Sequence, residues 1–254
     1  MTDYTVAAVD EAISLLLLVA QAPGLGVTEL AIKSGNTKAR TFRLLYTLEQ
    51  RGLLHRDGIV PTYHLGHKAL YLGVAAQEQV GLVRIARSHL RDIGGVCNEN
   101  VQLRVRDGLE SVCVARWEST HAVRVHGEVG NRRPLYAGAS SKILLAYAPA
   151  AVQEAVLNQP LQHFTNHTIT DSSQLAQQIK EISTVGYSTS FGEMSTDAVA
   201  IAAPIRDASG NVIAALGISG PASRITTENL QTYITLVVQR ARDLSLGMGY
   251  SGTH

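Results

Sequence analysis

The stretch from Gly26 to Leu45, GVTELAIKSGNTKARTFRLL, constrains what this chain can fold into more than any other. Thr28 stands just ahead of Leu30 and Ala31, where a hydroxyl can accept from a first-turn amide, and Glu29 suits the positive end of a helix, so a short helix is expected to begin there. Gly35 supplies the left-handed backbone that ends a helix at low cost, and Asn36-Thr37 offers a side-chain oxygen to start the next one. Ala31 is small enough for two helices to cross closely. From Thr37 onward, Phe42, Leu45, Leu48 and Glu49, with Leu44 nearby, set the expected inward stripe, which leaves Lys38, Arg40, Thr41 and Arg43 toward the opposite or N-terminal side. Two helices around a tight turn, with cations on the second, are the layout that places a helix in the major groove of DNA.

The flanks fit that layout. After Gly52 the chain runs extended, turns at Asp57-Gly58 and returns to Gly66, which reads as a β-wing. Ahead of it, Val9, Ile13, Leu16, Leu17 and Ala20 fall at helical spacing and predict a first helix that completes a small core and ends at Pro23-Gly24. Between Lys33 and Arg56 stand Lys33, Lys38, Arg40, Arg43, Arg51 and Arg56 against a single acid, Glu49, in a chain whose net charge is only +1. A local positive excess of this kind is an electrostatic footprint for double-stranded DNA. The competing reading is a solvated cationic face on an all-α core.

With 254 residues and 45% hydrophobic content, the chain can build two cores of ordinary size. The apolar run Leu15 to Ala20 is too short to span a bilayer, and no charged segment with a following cleavage site precedes it, so a cytoplasmic location without membrane association is expected. Cys97 and Cys113 stand alone, without CxxC spacing, and read as reduced, packed thiols.

Beyond Gly66 the pattern changes. Leu70, Val74, Val80, Val83, Ala86, Leu90 and Ile93 predict one or two linking helices, stopped by Gly94-Gly95. Val101, Leu103 and Val105 alternate with polar residues, Asp107-Gly108 turns, and Val112 to Trp117 returns, which is a hairpin; Val123 and Val125 continue the strand pattern before a polar loop from Gly127 to Pro134. A small-residue loop then becomes a helix around Lys142 that Pro149 ends. Its first turn bears Ser140 and Ser141, where free amides and the helix dipole favour an anion such as a carboxylate. Simple capping by Ser140 and packing by Ser141 explain the same residues equally well. A helix capped at Thr170-Asp171 turns Leu175, Ile179 and Ile182 inward and closes at Gly186. The runs Ala198–Ile205 and Val212–Ser219 are too apolar for half-exposed strands and belong in a sheet centre, and a closing helix from Thr227 buries Leu230, Ile234, Val237, Ala241 and Leu244. Together these elements predict an α+β fold with an antiparallel sheet.

The motifs jointly resemble the IclR-type bacterial transcriptional regulators over nearly the whole chain. They are Gly35 to Leu45 with Arg43-Leu44-Leu45; Leu48-Glu49-Gln50-Arg51-Gly52-Leu53; Tyr63-His64-Leu65-Gly66; Gly130 to Ala146 with Pro134-Leu135 and Lys142; Gly186-Tyr187 and Gly192-Glu193; Ile201-Ala202-Ala203-Pro204; and Ile218-Ser219-Gly220-Pro221 with Arg224. The resemblance implies a winged helix-turn-helix over residues 1–66, a linker helix over 67–82 and a GAF-like effector domain over 83–254. It implies DNA contacts from Thr28, Thr37, Lys38, Arg40, Thr41 and Arg43, with Arg56 in the wing. It further implies an effector pocket at Ala139, Ser140, Ser190, Ala200, Gly217 and Ser219, walled by Val125 and Leu135. Where family members often carry a proline and then a serine at the start of the recognition helix, this chain has Thr37 and Ala39.

Enzymatic readings find little support. Neither Ser140 nor Ser141 lies three residues before Lys142, and the chain has no GxSxG elbow, GxGxxG or P-loop, so neither catalysis nor a cofactor is implied. His163 and His167 lack a third ligand, and His121 with His126 adds little, so a metal is not expected. The expectation is therefore a ligand-responsive, sequence-specific transcriptional regulator, a repressor of a catabolic operon. It would bind a near-palindromic operator as a homodimer or homotetramer and take a small organic acid as effector. The alternative is a small-molecule sensor or hydrolytic enzyme with no role on DNA.

Overall fold

The computed structural model describes residues 4–79, 81–125 and 127–252. Val80, counted in the linking-helix pattern, and His126, weighed as a metal ligand, lie outside them. The chain divides into two compact units, Met1–Gln79 and Val80–His254.

The first unit runs α1 (Ala7–Gln21), β1 (Leu25–Gly26), α2 (Val27–Ser34), α3 (Lys38–Gln50), β2 (Leu54–Asp57), β3 (Thr62–Leu65) and α4 (His67–Gln79). Leu15, Val19, Leu30, Leu45, Leu48, Leu54 and Tyr63 form its core. The inward face of α1 is not the expected one: Val9, Ile13 and Leu17 are each more than half exposed, while Leu15 and Val19 are fully buried. The run from Leu15 to Val19 is apolar all the way round, so spacing alone could not select a face. Thr28 lies within the first turn of α2 rather than capping it; the cap position is Gly26, whose amide donates to Glu29 Oε2 at 2.9 Å. Gly35 ends α2 with φ 69°, the left-handed backbone that favours glycine. Strands β2 and β3 pair antiparallel with Arg56 opposite Tyr63 and Asp57 opposite Thr62, and β1 adds to the other edge of β3. This is the winged hairpin read from the sequence.

The second unit follows with α5 (Gly81–Cys97), β4 (Asn100–Asp107), β5 (Glu110–Trp117), β6 (Arg132–Pro134), α6 (Ala139–Ala146), α7 (Ala150–Leu157), α8 (Ser172–Val185), β7 (Ser188–Phe191), β8 (Ala198–Arg206), β9 (Val212–Pro221) and α9 (Thr227–Gly247). Its six strands form one sheet in the order β6-β5-β4-β9-β8-β7, and every pairing is antiparallel. The two apolar strands, β8 and β9, lie inside it as expected. Helices α5 and α9 cover one face through Ile93, Ile234 and Val237 against Val101, Leu103, Ile201, Leu216 and Ile218. Helices α6, α7 and α8 cover the other through Ile143, Leu145, Val156, Leu175 and Ile179 against Ala202 and Ala215. The fold is thus α+β with an antiparallel sheet, and both sheet faces are covered.

Three local expectations are corrected. Gly94 and Gly95 lie inside α5 rather than ending it, because Gly94 is where the helix presses on the Trp117 indole and a Cβ would overlap the ring. Val123 and Val125 sit in a loop, and the strand pairs further on, at Arg132–Pro134 against Glu110–Val112. Helix α6 ends at Ala146, and Pro149 instead opens α7 as its N-cap residue.

Candidate nucleic-acid interface and ligand cavity

Helix α3 is set by its cap and by one buried polar side chain. Thr37 Oγ1 accepts from Arg40 N at 3.3 Å, while Thr41 Oγ1 donates to Thr37 O at 3.0 Å and is fully buried. Thr41 therefore faces the core and leaves the expected contact surface. Phe42, expected to point inward, is exposed and stacks on Tyr46 with ring centroids 6.4 Å apart. The outward face of α3 is Lys38, Ala39, Phe42, Arg43 and Tyr46, an aromatic and cationic surface that periodicity missed because Thr41 and Phe42 exchanged roles.

The cations on this unit differ in freedom. Arg40 is ion-paired to Glu11 of α1, and Arg56 on the wing to Glu49 of α3 at 2.8 Å. Hydrogen bonding to these carboxylates, then their charge, holds both guanidiniums above their ordinary pKa. Lys38 and Arg43 carry no ion pair among the described residues and remain available to a phosphate or a base edge. Beyond them the wing turns at Gly58 and presents Ile59 and Val60, both largely exposed.

In the second unit a cavity of about 450 Å³ opens between the sheet and the start of α6. Residues at alternate positions of the strands point into it: Gln102 and Arg104 from β4, Ser190 from β7, Ala198 and Ala200 from β8, and Ser219 from β9. Gly138, Ala139, Ser140 and Ser141 supply the α6 wall, and Val123, Arg124 and Val125 supply a third side. That last loop is fastened at several points, with Arg224 donating to Val123 O at 3.0 Å, Arg124 to Glu118 at 2.8 Å, and Asn100 to Val125 O.

A buried ion pair anchors the α6 wall. Lys142 is fully buried and bonds Glu193 Oε1 and, at 3.2 Å, Thr189 O; Glu193 Oε2 accepts from Gly138 N at 3.0 Å. Burial lowers the Lys142 pKa, and the Glu193 charge and hydrogen bond oppose that shift. The pair clamps the turn after β7 onto the start of α6 and so fixes two sides of the cavity relative to each other. Ser141 serves the same packing through a 2.7 Å contact with Ser111 Oγ.

Of the pocket residues expected from the sequence, Val125, Ala139, Ser140, Ser190, Ala200 and Ser219 converge on this cavity. Two do not. Leu135 is fully buried in the α6–α8 core. Gly217 lies beneath Ser140, where an added Cβ would come within 2.5 Å of its Oγ, so this glycine allows helix and sheet to touch rather than lining the space. Sequence reading missed Gln102, Arg104, Arg133, Glu193 and Met194. In Gln102 and Arg104, alternation with Val101, Leu103 and Val105 suggested a water-facing side of a hairpin, and nothing in the hairpin itself signals that α6 covers that side.

Residues 74–246 match the family described as bacterial transcriptional regulator IclR, C-terminal, and residues 8–58 match the IclR helix-turn-helix domain. The chain belongs to the IclR family. It is 32% identical over 242 residues to the HTH-type transcriptional regulator BhcR of Paracoccus denitrificans, covering 95% of this chain and 87% of that one. It is 31% identical over 224 residues to the HTH-type transcriptional repressor AllR of Klebsiella pneumoniae, covering 88% and 82%. In fold it matches an IclR homologue from Microbacterium hydrocarbonoxydans complexed with 4-hydroxybenzoate, with a TM-score of 0.80, 24% identity and coverage of 94% and 98%. This IclR regulator is accordingly a DNA-binding transcription factor with an effector-binding C-terminal domain, in a family that is not enzymatic. Among its described residues no helix is long and apolar enough to cross a membrane.

Proposed function

We propose that the chain is a repressor of a catabolic operon that reads a near-palindromic operator as a homodimer and responds to a small organic acid in the cavity between the sheet and α6. The observation that carries this reading is the cavity itself: it is partly open to solvent, of metabolite size, and lined by serine hydroxyls and by guanidinium groups. Such a lining suits an acid with further polar groups. The Microbacterium homologue holds a carboxylate ligand, and AllR is named as a repressor, which supports both halves of the proposal by analogy.

The operator side rests on the outward face of α3. Lys38 and Arg43 reach phosphates or base edges, Thr37 and the first turn of α2 with Thr28 lie nearby, and Arg40 and Arg56 contribute from their ion pairs. Dimerisation rests on an apolar row along α1, Val6, Val9, Ile13 and Leu17, exposed along its whole length. Its spacing of three and four residues is that of a helix face made to pack. Residues 1–66 act as the reading head, 67–82 as the linker and 83–254 as the effector domain. A ligand bound more tightly in one state of the dimer than in the other changes operator affinity by that difference.

The test is footprinting on DNA upstream of the chain's own gene, with and without a panel of aliphatic and aromatic carboxylic acids, at two salt concentrations. Protection of a symmetric site, weaker at high salt and released by at least one acid, is the expected result. Absence of a protected site under every condition refutes the operator reading, and protection that no acid alters refutes the effector reading.

A further inference from the structure

The cavity contains more positive charge than the fold neutralises. Arg104 is 2% exposed, and its partners are all uncharged: Nε donates to Ser111 Oγ at 3.0 Å, Nη2 to Ser111 O and Asn131 O at 2.8 Å each, and Nη1 to Gln102 Oε1 at 3.4 Å. A guanidinium has five N–H donors, so one N–H on Nη1 is left over. Arg133 of β6 lines the same cavity, half-buried, and its guanidinium makes no hydrogen bond or ion pair among the described residues. The other charged groups on the wall are already placed. Glu193 is closed by Lys142 and Gly138 N, Arg124 by Glu118, and Asp197 is exposed.

The two guanidiniums also oppose each other. Burial, then the neighbouring charge of Arg133, lowers Arg104 to about 10, and burial lowers Arg133 as well. Both remain cationic at neutral pH. Buried charge without a counter-charge is unfavourable, and a planar guanidinium with free donors is the geometry that receives a carboxylate on two parallel N–H bonds.

We propose that Arg104 and Arg133 are the anion-recognition element of the cavity and that the effector they select is a small dicarboxylate. This rests on the organic-acid reading above and narrows it. One carboxylate sits in the fork of Arg133, and the remaining N–H of Arg104, which is linked through Ser111 to Ser141 of α6, is left for the other. The second lies toward the first turn of α6, where Ser140, Ser190 and Ser219 supply hydroxyls and the helix end adds a positive potential. Two negative charges on the ligand match the two on the protein that lack a partner, whereas a monocarboxylate leaves one uncompensated.

The experiment is calorimetric titration of the full chain at constant ionic strength with chain-length-matched acids: succinate against butyrate, adipate against hexanoate, and glycerol 3-phosphate as a dianion of different headgroup. At least one diacid should bind tenfold or more tightly than its monoacid. In Arg133→Met that preference should fall to within threefold, with the melting temperature of the ligand-free variant equal to or above that of the wild type, since a repulsion has been removed. Arg133→Lys should keep part of the preference. Equal binding of mono- and diacids, or an Arg133→Met variant that retains the diacid preference, overturns the proposal. Tighter binding of glycerol 3-phosphate than of any diacid overturns the dicarboxylate assignment in favour of a phosphate ester. If no acid binds, the proposal fails, while operator protection measured on the same preparation decides the DNA reading separately.

Discussion

Residues of the same type carry different duties here according to what they touch. Arg43 and Arg40 are three positions apart on α3, yet Arg43 is free to meet DNA while Arg40 is held by Glu11. Replacing Arg43 with alanine should therefore weaken operator binding by about 1–3 kcal/mol if it meets a base, or lower the salt slope by about one if it meets a phosphate. Arg40→Ala should instead lower the melting temperature more than it lowers operator affinity. Gel-shift titrations at several salt concentrations, alongside thermal melts, separate the two, and identical profiles for both variants would contradict this division. Lys142 is a scaffold residue: Lys142→Met leaves Glu193 buried without its partner and should cost about 3–5 kcal/mol in urea unfolding. A change near zero would show that the clamp is dispensable. The cysteines give a pH signature. Burial raises both thiols above their ordinary value of 9.0, so the unfolded chain releases these protons first and their contribution to stability declines as the pH rises past about 9. Native protein at pH 8.5 should alkylate slowly at Cys113 and faster at the half-buried Cys97, and in urea both should react at the rate of free thiols. Rapid native labelling of Cys113 would refute its burial.

Elements were legible in the sequence where several local signals agreed. The wing has a turn glycine between alternating runs, α8 has an Asp171 cap and a Gly186 stop, and β8 and β9 are long apolar runs bounded by a turn. Where a single signal stood alone it misled. The leucine run of α1 offers apolar residues on every face, so burial was decided by what α2, α3 and the wing left open. Gly94 looked like a helix stop and is a contact point with Trp117. The edge strands β6 and β7 are short and polar, and pairing with β5 and β8 creates them rather than their own propensity. The candidate site divides in the same way: its small residues and hydroxyls were readable from the motifs around Ser140 and Ser219, but Arg104 and Arg133 were not, because their burial depends on a helical layer that arrives later in the chain. The outer row of α1 carries its own prediction. Leu17→Glu combined with Ile13→Glu should convert a dimer to a monomer in sedimentation experiments without a large loss of helix signal, since both side chains are already exposed. A dimer that persists would move the interface elsewhere.

At the level of the whole molecule, two units with separate cores are joined by one chain, and any effect of the effector on operator affinity must be returned in equal measure. If a diacid lowers operator affinity by some factor, saturating operator must lower diacid affinity by the same factor. Paired titrations, DNA with and without ligand and ligand with and without DNA, should agree within error, and a mismatch would reveal a further state or a second ligand site. The anchoring of the cavity has another outcome. Lys142 and Gly217 hold the walls together without lining the space, Glu193, Ser141 and Arg104 both line it and bond to the fold, and Arg133, Ser190 and Ala200 line it with no side-chain bond to the fold among the described residues. Only part of the set that meets the contents also keeps the vessel in shape. Such a partition lets chemical taste drift by a few substitutions while the response machinery stays intact, which is what retuning this chain into a biosensor for a new metabolite would require.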